Sequence, residues 1–228
     1  MTTPLAPPAT AHLTRIKIDP WSRDAGTDLK DAQALHRRVL SLVPDQLGAA
    51  TRQAAGVLYR LERTPHAHTL LIQSTAPLHL EALPVGYAAA TDERDITPLL
   101  TWCQPGKAIR YRIDAVATAS ISTDERDSKG RRKRGRRIPL HGPAAINWWH
   151  YHANRAGLSP DPATTHASPQ PDLVGWKDNG RIGERLTRFE GTAHITDRDA
   201  LRTAITTGLG RARAYGAGLL SIAPLTNP

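Results

Sequence analysis

The feature that most limits what this chain can fold into is an order of segments that occurs twice. His12–Ile18 (HLTRIKI) alternates apolar and polar residues, the period of a half-buried strand. After a loop over Pro20–Thr27, Asp28 is expected to N-cap a helix with Asp31 in its first turn. Leu29, Ala32, Leu35, Val39 and Leu42 recur along that helix at core-facing spacing, and Pro44 ends it. Val57–Glu62 and His68–Thr75 read as two strands around Thr64-Pro65. Residues 81–103 leave room for a short helix, and Gly106–Ala119 reads as a strand. The second half repeats the order. Arg137–His141 reads as a short strand, and Pro143 opens a helix to Ala156. Ile146, Trp149, Ala153 and Ala156 form its stripe, and Gly157 stops it. A Pro-rich loop over 158–171 precedes strands Leu173–Lys177 and Leu186–Thr196, set around an Asn179-Gly180 turn. Thr196 and Asp199 make a capping-box-like start for a helix to Thr207, and Gly218–Ala223 closes as a buried strand. Each half is β-α-β-β-α-β, so the expected class is α+β, two tandem ferredoxin-like (RRM-like, βαββαβ) domains. The expected division is a flexible tail over 1–11, a first domain over 12–125 and a second over 126–228. The duplication lies in element order alone; the two halves share no sequence repeat.

At 228 residues the chain has room for one large domain or two small ones with ordinary cores, needing no disulfide or metal staple. No apolar run approaches the roughly 18 residues of a membrane helix. MTTPLAPPATAHL lacks a basic n-region and a continuous apolar stretch, so no secretory signal is expected. Cys103 is the only cysteine, which excludes internal disulfides and suits a reducing cytoplasm.

The charge is concentrated. Of 30 Lys and Arg residues against 21 Asp and Glu, seven lie in the nine positions Lys129–Arg137 (KGRRKRGRR), and removing them takes the net charge from +9 to +2. Arginine outnumbers lysine by 24 to 6. Its planar five-donor fork grips phosphate oxygens in pairs, which favours a phosphate-rich partner and nucleic acid above all. With few aromatics and one Phe, the chain lacks the base-stacking complement of a single-strand binder, so a structured RNA such as a hairpin is the better target. A solvated basic linker is the competing reading of the run.

The C-terminal Gly208–Pro224 reads GLGRARAYGAGLLSIAP. Gly208, Gly210, Gly216 and Gly218 would let backbone approach phosphates, with Arg211 and Arg213 adding charge; a glycine-rich turn feeding the last strand is the bland alternative. The spacing is neither a dinucleotide fingerprint nor a P-loop.

Four motifs occur in an order that resembles a known family. They are LTRIKID-P (Leu13–Pro20), LHRRVLSLVP (Leu35–Pro44), GVLYRLE (Gly56–Glu62) with LLIQS (Leu70–Ser74), and the terminal G-x-G-R-x-(x)3-G-x-G-LLS-x-AP. Together, over about residues 12–224, they resemble CasE, the CRISPR-associated repeat-RNA endoribonuclease of the type I-E system. The resemblance implies two tandem ferredoxin-like domains. It also implies metal-independent cutting of the CRISPR precursor at the 3′ base of the repeat hairpin, with the mature crRNA retained for assembly with the other Cascade subunits. The isolated chain is expected to be a cytoplasmic monomer without metal or cofactor.

The family's catalytic histidine falls on His36. RNA supplies its own nucleophile, the 2′-hydroxyl beside the scissile phosphate. The protein must hold the in-line geometry, move protons and stabilise the developing charge. An imidazole with an ordinary pKa near 6.5 does either proton transfer at neutral pH, worth roughly 10²–10⁴-fold. Products are then a 2′,3′-cyclic phosphate and a 5′-hydroxyl. Where relatives often carry tyrosine three residues earlier, this chain has Gln33, which hydrogen-bonds and orients but does not donate a proton as a phenol does. That leaves open a weakly active or inactive hairpin-binding scaffold subunit as the alternative. Arg37 and Arg38 are candidates for the scissile phosphate. Hairpin phosphates are assigned to Lys129, Arg131, Arg132, Lys133, Arg134, Arg136 and Arg137. The stem base is assigned to Lys177, Arg181 and Arg185. The remaining nine histidines read as structural or surface groups, and Trp148-Trp149 as core.

Overall fold

The computed structural model describes residues 10–44, 56–122, 124–126, 128–131, 135–177 and 180–225. Most of the expected tail and Asn179 of the expected turn lie outside them. Two antiparallel sheets organise the described chain. In the first, β1 (His12–Ile18) is flanked by β3 (His68–Ser74) and β4 (Ala88–Asp95), and β2 (Leu58–Arg63) pairs on β3, giving the order β2-β3-β1-β4. Helix α2 (Ala32–Ser41) covers one face. Its Leu35 and Val39, with Leu42 at its end, pack on Ile16, Ile18, Leu70 and Ile72. The helix begins where Asp31 accepts hydrogen bonds from the Gln33 and Ala34 amides, at 2.7 and 3.1 Å. Asp28 is therefore not the cap. It is buried at the end of a short helix, α1 (Arg23–Asp28), which Ser22 caps inside the expected loop.

The second sheet runs β13-β5-β12-β8, from β5 (Ala108–Ala115), β8 (Leu158–Pro160), β12 (Thr187–Ile195) and β13 (Ser221–Pro224), with β9 (His166–Pro169) also on β12. Helices α4 (Gly142–Arg155) and α5 (Arg198–Thr207) supply Trp149, Ala153, Leu201 and Ile205 to a core with Ile109, Ile113 and Phe189. Ala145 is buried where the pattern had placed Ile146. Asp197 caps α5, one residue after the expected Thr196.

The two sheets divide between β4 and β5, ahead of the expected boundary between residues 125 and 126. The Gly106–Ala119 segment, expected as the last strand of the first domain, divides into β5, which pairs with β12 and β13, and β6 (Thr118–Ile121). The first sheet closes instead with β4, whose residues AAATDERD are mostly exposed. An edge strand of this kind carries charge to block further pairing and shows no apolar alternation. A helix, α3 (Thr97–Trp102), fills part of 81–103, and its Leu100 packs in the second core.

Two hairpins project from the second sheet. β6 pairs with β7 (Arg136–Pro139), and β10 (Leu173–Lys177) pairs with β11 (Gly180–Glu184) from Leu173↔Glu184 to Lys177↔Gly180. The sequence expectation had joined Leu173–Lys177 to Leu186–Thr196. The position of the turn holds, but the return strand is a separate one with two glycines (GRIGE), and β12 lies in the main sheet. The Pro-rich 158–171 segment holds β8 and β9.

The sheets are joined by polar contacts of long chain separation. The buried Arg60 guanidinium donates to the Leu219 and Arg112 carbonyls at 3.1 and 3.3 Å and to Glu62 Oε1 at 2.8 Å. Gln73 Nε2 donates to the Ile205 carbonyl at 2.7 Å. Glu62 also meets Arg112 at 3.1 Å and Arg188 at 3.8 Å, and within the second sheet Arg188 grips its cross-strand neighbour Asp114 with two bonds of 2.7 and 2.9 Å. Burial alone would push the Glu62 carboxyl up; Arg60, Arg188 and Arg112 outweigh it and hold the group below its ordinary 4.5.

Candidate functional site

His36 sits half-buried in the middle of α2, whose apolar stripe holds the helix on the first sheet and leaves the histidine at its edge. The aromatic ring that meets it comes from the second half of the chain. Tyr215 lies 5.7 Å away, centroid to centroid, with the rings inclined at 67°. Tyr215 ends a 3-10 turn, Arg213–Tyr215, within the glycine-rich segment. That turn is fixed by Tyr59 of β2, whose hydroxyl donates to the Ala214 carbonyl at 2.9 Å. The site is thus built across the two sheets.

The glycines allow this close approach. Gly208, Gly216 and Gly218 are buried, and only Gly210 is exposed. All four have positive φ. A Cβ on Gly216 would lie 3.0 Å from the Tyr59 ring, and one on Gly208 would lie 2.7 Å from Leu58 Cδ2. Of the four glycines expected to face RNA, three lie where the chain packs on itself and Gly210 is exposed. Arg213 turns back to the Thr207 carbonyl at 2.7 Å, and Arg211 pairs with Glu184 of β11 at 3.2 Å while both stay exposed.

Arg37 is exposed beside His36. Arg38 does not join it. Its Nε donates to Asp28 at 2.8 Å and its guanidinium lies over the Tyr87 ring at 5.3 Å. Burial alone would lower its pKa, but the Asp28 hydrogen bond and charge raise it. In this structure the guanidinium expected at the scissile phosphate is engaged in this internal ion pair. Gln33 lies one turn before His36 with a buried Oε1 that has no hydrogen-bond partner among the described residues.

The remaining expected binding residues converge in part. Arg136 and Arg137 are exposed on β7, and Lys177, Arg181 and Arg185 on or beside the β10–β11 hairpin. A cleft of about 300 Å³ between the two hairpins is lined by Arg137, Arg181 and Arg185, with Glu184 and Asp172 among its other walls. A second cavity beside it shares Asp172 and Val174 and reaches Ala32, Leu35 and Tyr215, so β10 lies between the arginines and α2. At Gly175, β10 touches the helix itself: a Cβ there would lie 3.0 Å from Asp31 Oδ1 and from the Gln33 amide. Lys129 and Arg131 are exposed at the start of the basic run. Arg132, Lys133 and Arg134 lie outside the described residues.

Sequence reasoning missed Tyr215 and Trp176. The first carried a signal, as an aromatic inside a glycine-rich loop. Trp176 is 65% exposed next to Lys177, on a segment read only as a strand. Trp149 is fully buried, as expected of core. Among the described residues no group of three or more His, Cys, Asp or Glu is placed to hold a metal ion, and no helix is long and apolar enough to cross a membrane.

A family model described as CRISPR associated protein matches residues 11–224. The chain is 30% identical over 211 residues to the CRISPR system Cascade subunit CasE of Escherichia coli (strain K12), covering 90% of this chain and 94% of that protein. It is 25% identical over 225 residues to the CRISPR-associated endoribonuclease Cse3 of Thermus thermophilus, covering 93% and 99%. A solved chain of a CRISPR RNA-guided surveillance complex, pre-nicking, matches with a TM-score of 0.66 at 34% identity, over 94% of this chain and all of that one.

Proposed function

The chain belongs to the CRISPR-associated protein family matched over residues 11–224, and from that membership we propose that it is an endoribonuclease of CRISPR repeat RNA. It cuts the precursor at the 3′ base of the repeat hairpin and keeps the mature crRNA as a subunit of Cascade, in the cytoplasm. The observation that carries this reading is the placement of His36 at the seam of the two sheets, with the cleft of Arg137, Arg181 and Arg185 on the other side of β10.

The stem rests its phosphates on the two hairpins. A-form RNA hides its base edges in a deep groove, so recognition there is by phosphate spacing and shape. Lys129 and Arg131 extend the same charged track. At the stem base the 2′-hydroxyl attacks the adjacent phosphorus, and the bond to the 5′-oxygen breaks. The proton leaves the 2′-oxygen and one arrives on the 5′-oxygen, giving a 2′,3′-cyclic phosphate and a 5′-hydroxyl. His36 performs one of these transfers, and Arg37 balances charge on the phosphorane oxygens. No step calls on a metal.

The test is cleavage of the host repeat hairpin in EDTA by wild type and His36→Ala. A single cut at the 3′ base, lost in the variant while RNA affinity persists, is expected, because a proton-transfer group acts on the transition state more than on binding. Tight binding without a cut by either protein would replace this reading with that of a hairpin-binding scaffold.

A further inference from the structure

We propose that Tyr215 is the positioning residue for His36, its ring setting the imidazole for proton transfer from across the seam between the two sheets. The inference rests on the endoribonuclease reading above and adds a residue to it.

The contact is an aromatic one. At 5.7 Å and 67° the two rings meet edge to face, within the range in which such pairs attract directionally. A histidine side chain has two rotatable torsions, and proton transfer tolerates misplacement of only about half an ångström. A ring packed against the imidazole removes the competing orientations. Gln33, one turn earlier on the same helix, has no ring to offer.

Tyr215 is itself held from several sides. Its amide donates to the Ala212 carbonyl at 2.8 Å, and the neighbouring Ala214 carbonyl accepts from Tyr59. Gly216 follows at φ 93°, with the Tyr59 ring where a side chain would begin. Ala212 opens the turn at φ 55°, the one non-glycine residue with positive φ among the described residues. Backbone in that region costs energy and persists only where its surroundings enforce it, a condition met most often at functional sites. The cluster of Val116, Leu186 and Ala217, with Ala212 packed on it, supplies the enforcement from below. The outcome is a rigid tyrosine delivered by the second half of the chain to a histidine on the first.

Single-turnover cleavage of the repeat hairpin, RNA affinity and the His36 imidazole resonance in NMR test this together. Tyr215→Ala is expected to cut about 10- to 100-fold more slowly, the scale on which misplacement of a reacting group is felt, with unchanged affinity. Tyr215→Phe keeps the ring and is expected to restore the rate. The His36 signal and the midpoint of its titration should move in Tyr215→Ala and return in Tyr215→Phe, a readout that loss of stability alone would not give. Should the alanine variant not fold, Tyr215→Leu fills the space without a ring and is read the same way. Wild-type cutting by the ringless variant overturns the proposal. So does a phenylalanine variant as slow as the alanine one, which would make the phenol itself the acting group. If His36→Ala still cuts, the endoribonuclease mechanism through His36 fails; if it does not cut while Tyr215→Ala cuts normally, only the role of Tyr215 fails.

Discussion

Asp28 is a buried carboxylate that ties three elements together. It sits at the end of α1, accepts from Arg38 of α2 at 2.8 Å and from the Tyr87 hydroxyl at 3.0 Å beside β4. Desolvation pushes the Tyr87 phenol upward, and the Asp28 charge and hydrogen bond push it further. Asp28→Ala leaves both donors without their acceptor. The expected cost is about 1–3 kcal/mol, read by urea denaturation, with hairpin RNA affinity unchanged because Arg38 is spent internally. Cys103 gives a second expectation at this scale. It is fully buried in the second core, and burial pushes its thiol up to about 11. The thiolate is the reactive form, so the native protein should resist alkylation at pH 8 and react once denatured. Rapid labelling of the folded chain would contradict its placement.

At the scale of elements, the N-terminus of α2 is where the helix and the β10–β11 hairpin share a boundary. Asp31 caps two amides there, and Gly175 lets β10 approach so closely that a Cβ at that position would lie 3.0 Å from the Asp31 carboxylate. Asp31→Ala should cost about 1 kcal/mol, the usual price of a lost cap, measured by chemical denaturation. Gly175→Val pushes the hairpin off the helix. It is expected to weaken RNA affinity more than it lowers the melting temperature, since the hairpin carries Lys177 and Arg181 while the main cores lie elsewhere. A variant that melts early but binds normally would show that the hairpin does not carry the RNA contact.

For the whole molecule, the joint between the sheets is ionic and therefore depends on pH. Glu62 has a folded pKa held below its ordinary 4.5, so the unfolded chain takes up a proton first as pH falls. The stabilisation it gives is full above that ordinary value and is lost as pH drops through the folded one. The difference in melting temperature between wild type and Glu62→Gln should be largest near neutrality and shrink toward acid. The second molecular expectation concerns salt. Arg137, Arg181 and Arg185 line one cleft, so each alanine replacement should lower the slope of log affinity against log salt by up to about one unit. Unchanged slopes would place the RNA elsewhere.

Much of this protein was legible in its sequence because it depends on local periodicity. Leu35, Val39 and Leu42 on one helix face, Ile16 and Ile18 on alternate strand positions, and the Pro143-to-Gly157 helix follow from residue spacing alone. The expected fold class holds as well, since the two sheets take equivalent strand orders, although several of the strands that fill them are not the ones the spacing assigned. His36 stands as the proposed catalytic residue because a sequence motif carries it. Only the tertiary structure decided that Gly106–Ala119 contributes its main strand to the second sheet, that charged Ala88–Asp95 closes the first, and that Arg38 turns inward to Asp28. It also decided that Tyr215, 179 positions after His36, lies against it. Edge strands, ion pairs and cross-sheet contacts are chosen by which surfaces meet after the elements form, and that information is carried by no single stretch of chain.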